Sequence, residues 1–514
     1  MINIIEMKKL IEDNLTIKKE EKNKFGEVFS QLTFINEMLD TLPSYVWSNP
    51  NLKWLDPANG IGNFPIIVYE RLMKGLEKSF SNKTECSNHI ITKMLFMVEI
   101  NPNNVKISKR IFGDNANIFC GDFLTMDIKD KFDIIIGNPP FQKTFENQNK
   151  RAGGTSLWSK FINTAFPMIN KDGFLLFITP CSWMTGGSNI QSGNILNGIF
   201  KKNTLLYLDI ENCAKYFKGV KSTFSYYLIK KSFENTAFPC VVLYKKKLYK
   251  SIINQELFRS LNVIPKLFTQ ETINIIKKVE NKNKNKFNFQ RRRDLDTSQI
   301  KFQRIYDLDT RLIKRYDAQG IYIVKHKVVE IKRTNYFQES CMNKHKVIIS
   351  MPGYIKAEYD FESGCSDATL FQIVKDKEEA EYIISLLNNN LYKFIINNYR
   401  ELTGLNNHKN INNLSYPHIK VKDIYKYFNL TPEEINIIEN NTETKVLQQI
   451  TPKPKSSHSS TKKKIPSPKP QVTKKNTKLK IKSKNSSKKI GGKNTKKHNR
   501  INLPKKTRRK LIKK

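Results

Sequence analysis

Phe132-Asp-Ile-Ile-Ile-Gly-Asn-Pro-Pro-Phe141 is an apolar run that stops in a rigid turn. A short β-branched run bounded by Gly and Pro reads as a strand buried on both faces, as in a parallel sheet covered by helices. Beyond it, two successive prolines fix the chain. The Asn138 side-chain oxygen and the Pro139 carbonyl then stand as neighbouring acceptors with little entropy left to lose, Pro140 stiffens the turn, and Phe141 adds a flat apolar face. Two acceptors beside a ring suit a planar base that carries an exocyclic amine.

Working outward, further apolar runs at Leu52 to Asp56, Met94 to Glu99, Asn117 to Cys120, Gly173 to Thr179, Leu205 to Ile210 and Phe224 to Ile229 read as strands. Stretches of helical spacing lie between several of them, at 63–78, 101–112 and 156–170. Strand and helix in alternation predict an α/β fold with a mostly parallel, Rossmann-like sheet, whose ligands sit at the carboxyl ends of the strands.

Those ends carry acids. Asp56-Pro-Ala-Asn-Gly60-Ile-Gly62 lies between a strand and a helix, where Gly60 and Gly62 let the backbone turn sharply and pass close to a ligand. Glu99 ends the next strand, where a carboxylate can accept both hydroxyls of a ribose. It stands 43 positions after Asp56, whereas the spacing in dinucleotide folds is about 20, so the polar segment 78–93 is expected to be an inserted surface loop. The third strand runs into Gly121-Asp122-Phe123, a carboxylate for an adenine amine with a ring beside it.

From the residues quoted, the chain resembles the gamma-class N6-adenine DNA methyltransferases, including the methylase parts of restriction-modification systems, over residues 24–231. The segment Phe25-Gly-Glu-Val-Phe-Ser30-Gln31 is similar to the family's cofactor-contacting motif, although Ser30-Gln31 replaces the commoner Thr-Pro. Phe217-Lys-Gly-Val-Lys-Ser-Thr-Phe224 is similar to the segment whose first aromatic packs on the extruded base. The resemblance implies that Ser30, Asp56, Gly60, Gly62, Glu99, Asp122 and Phe123 hold S-adenosylmethionine, that Asn138, Pro139, Pro140 and Phe141 form the catalytic loop, and that Phe217 faces Phe141 across the adenine. Asn59 and Ile61 stand where the family often has Cys and Ser. No metal is required.

The rest of the chain fits a double-stranded DNA substrate. Of 514 residues, 89 are Lys or Arg and 47 are Asp or Glu, for a formal net charge of +42. Such an excess favours a polyanion, because neutralised phosphates release counterions. Residues 1–24 are expected to form a helical extension, 25–235 the catalytic domain and 236–430 an α+β target-recognition domain in which 378–399 is one long helix. Residues 431–514 are a linker and tail. Within them, 451–514 hold 25 Lys or Arg and no acid, a composition expected to be disordered and to grip phosphates without reading bases. The seven cysteines show no paired spacing, and the charged start together with the lack of a long apolar run predicts an intracellular, soluble protein. No obligate protein partner is implied.

Other enzymes with an Asn-Pro-Pro-aromatic loop methylate RNA bases or protein glutamines, but they generally lack a long second domain. Glu330-Ile331-Lys332 is the only fragment similar to a nuclease pair, and no well-placed upstream Asp accompanies it. A DNA-coating protein with a retired methylase fold is opposed by intact Asp122 and Asn138.

Overall fold

The computed structural model describes residues 3–17, 31–141, 157–185, 195–217, 223–290, 301–304, 311–317, 320–330, 344–351, 355–361, 364–365, 369–400 and 406–442. The chain divides into two units, Met1–Lys445 and Val446–Lys514. Everything below belongs to the first, so the basic tail expected to bind DNA lies outside the described residues.

Nine strands form the central sheet. In chain order they are β1 (Trp54–Asp56), β2 (Leu95–Glu99), β3 (Asn117–Cys120), β4 (Phe132–Gly137), β5 (Ile169–Pro180), β6 (Thr204–Ile210), β7 (Phe224–Lys230), β8 (Ala237–Tyr244) and β9 (Lys247–Asn254). Their spatial order is β3-β2-β1-β4-β5-β7-β6-β8-β9. The first five are parallel, with Trp54 opposite both Leu95 and Ile134, while β7 is antiparallel to β5 and β6. The order reverses between β1 and β4, where an open α/β sheet leaves its crevice.

The apolar runs form central strands because both faces are covered. Trp54, Ile134, Ile136 and Leu176 enter one core, whereas Leu55, Ile135, Leu175 and Phe177 enter the core on the opposite face. Helices α1 (Ile4–Ile17), α2 (Leu32–Leu39), α3 (Asn63–Gly75), α4 (Lys83–His89), α5 (Pro102–Phe112) and α6 (Trp158–Met168) lie within this half. The start of α5 is fixed by Asn101, whose side chain accepts from the Asn103 amide, and by Pro102 in the first turn.

Three sequence expectations are corrected. Residues 78–93 are not a surface loop: Asn82 caps α4 by accepting from the Glu85 amide at 2.9 Å, and a π-turn at Ile90–Met94 follows. Cys86 and Ile90 are buried there, and the Tyr69 and Ser87 hydroxyls pair at 2.7 Å. The sheet also continues past residue 235, since β8 pairs with β6 (Leu208 opposite Cys240) and β9 pairs with β8.

The third correction lies in the C-terminal part. It contains α7 (Gln255–Ser260), α8 (Gln270–Asn281), a four-stranded sheet and a three-stranded one, then α9 (Lys377–Asn388) and α10 (Asn390–Tyr399). The expected helix over 378–399 is thus two helices. Asn389 takes an extended backbone and its side chain accepts from the Leu391 amide, so one residue ends α9 and starts α10. A third core joins α8, the three-stranded sheet, α9 and α10, through residues that include Ile275, Val347, Leu370 and Ile395.

Candidate active site

The carboxyl edge of β1, β2 and β3 is stitched into one shelf. After Asp56 the chain passes through Gly60 (φ +60°) and Gly62 (φ +100°), left-handed conformations that side chains resist. At Gly62 a Cβ would also stand 2.9 Å from the Phe112 ring. This turn lets the Gly60 amide donate to Glu99 Oε2 at 2.7 Å, while the Asn101 amide donates to Oε1 at 2.7 Å. The Asn59 amide donates to the Val98 carbonyl and the Gly121 amide to the Glu99 carbonyl, each at 2.9 Å. Asp122 follows, its Oδ1 accepting from the Leu124 amide at 2.9 Å.

Asp56 is buried, and burial pushes its carboxyl up to about 8, with the Ala58 amide pulling the other way and Glu99 adding to the rise. Nearby, Asn59 Oδ1 and Asn101 Nδ2 are buried with no hydrogen-bond partner among the described residues. Buried polar atoms of that kind are uncommon and call for a ligand, ion or water. Ile100, next to Glu99, keeps 53% of its surface exposed. Sequence reading passed over it, since an apolar residue just after a strand carries no signal until its exposure is known.

The Asn-Pro-Pro-Phe loop leaves the sheet on the neighbouring strand, β4. Gly137 has φ +150°, and a Cβ there would meet Asp56 Oδ1 at 2.9 Å. The glycine turn and the Asn-Pro-Pro-Phe turn therefore abut at the Asp56 carboxyl. Pro139 is buried and Asn138, Pro140 and Phe141 are half-buried. The Phe141 carbonyl accepts from the Leu157 amide at 3.1 Å, tying the loop to the start of α6.

Two of the candidate aromatics have ring neighbours in the fold. Phe141 packs on Phe224 at a ring separation of 5.3 Å, and Phe217 packs on the same Phe224 at 4.9 Å. Phe217 is buried and meets Phe34 edge-on at 5.5 Å. Phe224 thus touches both rings. Phe123 is likewise buried, stacked on Phe161 at 5.5 Å, and its ring belongs to the core beneath the shelf. Ser30 and residues 218–222 lie outside the described residues.

Glu211, which the sequence did not single out, follows β6 with φ +65°, a conformation costly for a residue with a long side chain. Its amide donates to the Phe224 carbonyl and its Oε1 accepts from the Phe224 amide, both at 2.8 Å. Burial pushes its carboxyl up to about 7, against the pull of that Phe224 amide. The strained residue thus clamps the strand that carries the ring between Phe141 and Phe217.

Among the described residues no group of three or more His, Cys, Asp or Glu is placed to hold a metal ion, and no helix is long and apolar enough to cross a membrane. Glu330 ends a strand, while Ile331 and Lys332 lie outside the described residues.

The sheet order, the glycine turn and the acid-tipped strands define an α/β fold with a largely parallel central sheet, here joined to an α+β C-terminal part. Residues 74–217 match the family described as Eco57I restriction-modification methylase. An "uncharacterized adenine-specific methylase" of Mycoplasma pneumoniae is 26% identical, over 32% of this chain and 57% of that one. The modification methylase CviBIII of Paramecium bursaria Chlorella virus NC1A is 29% identical, over 32% of this chain and 40% of that one. The Type II methyltransferase M.AccI of Acinetobacter calcoaceticus is 24% identical, over 38% and 34%. The chain thus spans about half or less of the length of the curated relatives it matches. A solved Type IIL restriction-modification enzyme, MmeI in complex with DNA, has a TM-score of 0.47 at 14% identity, over 79% of this chain and 70% of that one. The resemblance to adenine-specific restriction-modification methylases is shown by the family match and these relatives.

Proposed function

We propose that this chain is a site-specific DNA methyltransferase that methylates N6 of an adenine extruded from double-stranded DNA, with S-adenosylmethionine as donor. The observation that carries this reading is the contact between Gly137 and Asp56, which sets the Asn138-Pro139-Pro140-Phe141 loop directly against the glycine turn and the Glu99 shelf.

The shelf's residues fit the cofactor. Glu99 offers carboxylate acceptors for a ribose diol, Asp122 an acceptor for an adenine amine, and exposed Ile100 an apolar wall. The two buried polar atoms of Asn59 and Asn101 support a polar ligand beside the turn. S-adenosylmethionine, when bound, supplies an electrophilic methyl group on a sulfonium.

The chain's own task is to make a poor nucleophile react. The N6 lone pair is delocalised into the ring, so the Asn138 amide oxygen and the Pro139 carbonyl accept its two N–H bonds as the nitrogen pyramidalises. N6 gains the methyl group and releases one proton. Phe141 stacks on the base. Extrusion costs roughly a few kcal/mol, and stacking returns about 1 to 3 kcal/mol per base, so one ring and two hydrogen bonds are of the right size to hold the flipped state. Phe217 contributes as a second ring only if Phe224 gives way, because Phe224 touches both. The domain organisation expected from sequence is carried forward with the sheet extended to residue 254: catalytic sheet, target-recognition part, and basic tail gripping phosphates.

The test is sequencing that reports modified bases on DNA from cells expressing the protein. N6-methyladenine confined to one sequence context supports the proposal. Unmodified DNA, with label from tritiated cofactor appearing in RNA or protein, overturns it.

A further inference from the structure

Glu211 stands where a glycine would be less strained. It directly follows β6 with φ +65°, and a long side chain persists in that left-handed conformation only where its surroundings hold it there. Such residues gather at functional sites, so the bonds that hold this one are informative.

Those bonds converge on two aromatic residues. The Glu211 amide donates to the Phe224 carbonyl and its Oε1 accepts from the Phe224 amide, each at 2.8 Å, so one residue takes both backbone groups of Phe224. Pro180, opposite Phe224 on β5, has no N–H to offer. The Glu211 carbonyl accepts from the Ala214 amide at 3.1 Å and opens the short helical turn Asn212–Tyr216. That turn delivers Phe217, whose amide donates to the Ala214 carbonyl at 3.0 Å. Buried Asp209 braces it, accepting from the Cys213 amide at 2.9 Å and from Asn212 Nδ2 at 2.7 Å. On the other side, the Cys181 thiol lies 3.9 Å from Glu211 Oε1, and the Cys181 amide donates to the Thr223 carbonyl at 3.1 Å.

The Phe217 and Phe224 rings stand 4.9 Å apart, and Phe224 stands 5.3 Å from the half-buried Phe141. The ring against which Phe141 leans is therefore fixed, through its backbone, by Glu211. A glycine at 211 would relieve the positive φ and keep both main-chain bonds. It would lose only the bond from the Phe224 amide to the carboxylate, which is thus the distinct contribution of the glutamate side chain.

We propose that Glu211 is a positioning residue for the extruded adenine: it fixes Phe224, and through Phe224 the tilt of Phe141 against the base. This rests on the DNA methyltransferase reading and adds to it a residue outside the Asn-Pro-Pro-Phe loop that acts through a ring touching that loop.

The test measures kcat and KM of methyl transfer to duplex DNA in the full-length protein, with melting temperatures alongside. Glu211→Ala is expected to lower kcat by about ten- to a hundredfold, the range that a small misplacement at a reacting centre produces. Cofactor KM is expected to stay near wild type. Glu211→Gln, whose amide oxygen can accept the same bond, is expected to restore most of the rate. Glu211→Gly removes the strain together with the bond, so its melting temperature is expected to match or exceed that of Glu211→Ala while its kcat stays as low. Phe224→Leu keeps the clamp and loses the ring. Combining it with Glu211→Ala is expected to cost no more than Phe224→Leu alone, because Glu211 acts through that ring.

A Glu211→Gly protein with wild-type kcat, a Glu211→Gln protein as slow as Glu211→Gly, or a double variant in which the two losses multiply overturns the role. If Glu211→Ala or Phe224→Leu fails to fold, the contrast between Glu211→Gly and Glu211→Gln decides. If wild type transfers no methyl group to DNA, the DNA methyltransferase reading fails; if wild type is active and Glu211→Gly keeps its full rate, only the role of Glu211 fails.

Discussion

A Cβ added to Gly137 would lie 2.9 Å from Asp56 Oδ1. The two halves of the candidate site thus meet without a spacer, and glycine at φ +150° is what permits it. Gly137→Ala is expected to cost on the order of 1 to 3 kcal/mol of stability, read as a lower chemical-denaturation midpoint, and to depress methyl transfer by shifting the Asn138 loop. A wild-type midpoint would show that the backbone tolerates a side chain there.

Glu99→Ala is expected to weaken S-adenosylmethionine binding by about 1.5 to 3 kcal/mol, the size of a hydrogen bond to a charged group. Isothermal calorimetry gives the answer. Because Glu99 also accepts from the Gly60 amide, a melting curve is run alongside, so that loss of the turn is told apart from loss of a ligand contact.

Asn138→Ala is expected to abolish methyl transfer while leaving cofactor affinity within a few fold, since its amide acts on the target amine and not on the sulfonium. Tritium transfer to DNA and calorimetry report the two halves separately. Appreciable turnover would remove Asn138 from the proposed chemistry.

Asp56 yields a pH prediction whose sign is fixed. Its carboxyl rises from 3.8 to about 8 in the fold, chiefly through burial. The stability gained by keeping it protonated is present in full below pH 3.8 and falls away as pH rises toward 8, because the unfolded chain has already released the proton. Without cofactor, wild type is expected to lose stability between pH 5 and pH 8. Asp56→Asn is expected to show a shallower loss over the same range in denaturation midpoints.

Most strands were legible in the sequence because a doubly buried strand is a nearly continuous apolar run: the seven runs expected from Leu52 to Ile229 became β1 to β7, the half-exposed edge strand β3 among them. Positions set by packing were not legible. Phe217 and Phe123 stand out in a linear motif, but only the fold shows which rings lie beside them, Phe34 and Phe224 for the one and Phe161 for the other. Glu211 has no motif, since its role comes from a positive φ and a clamp on a residue thirteen positions away. The helical break at Asn389 was hidden because one residue ends a helix with its backbone and begins the next with its side chain, without disturbing the apolar period. The segment 78–93 looked like a loop by composition, although a capped helix and a few buried residues were enough to fold it.

The pairing of β8 with β6 sets where chimeras of this enzyme should be joined. Cutting at residue 235 to graft a foreign recognition module would strip Cys240, Val241 and Val242 from Leu208, Asp209 and Ile210. That would leave β6 as a bare edge, the kind of strand that invites aggregation. A junction after Asn254 keeps the edge closed, so a specificity swap that fails at the first join and succeeds at the second would report on sheet completion and not on sequence recognition.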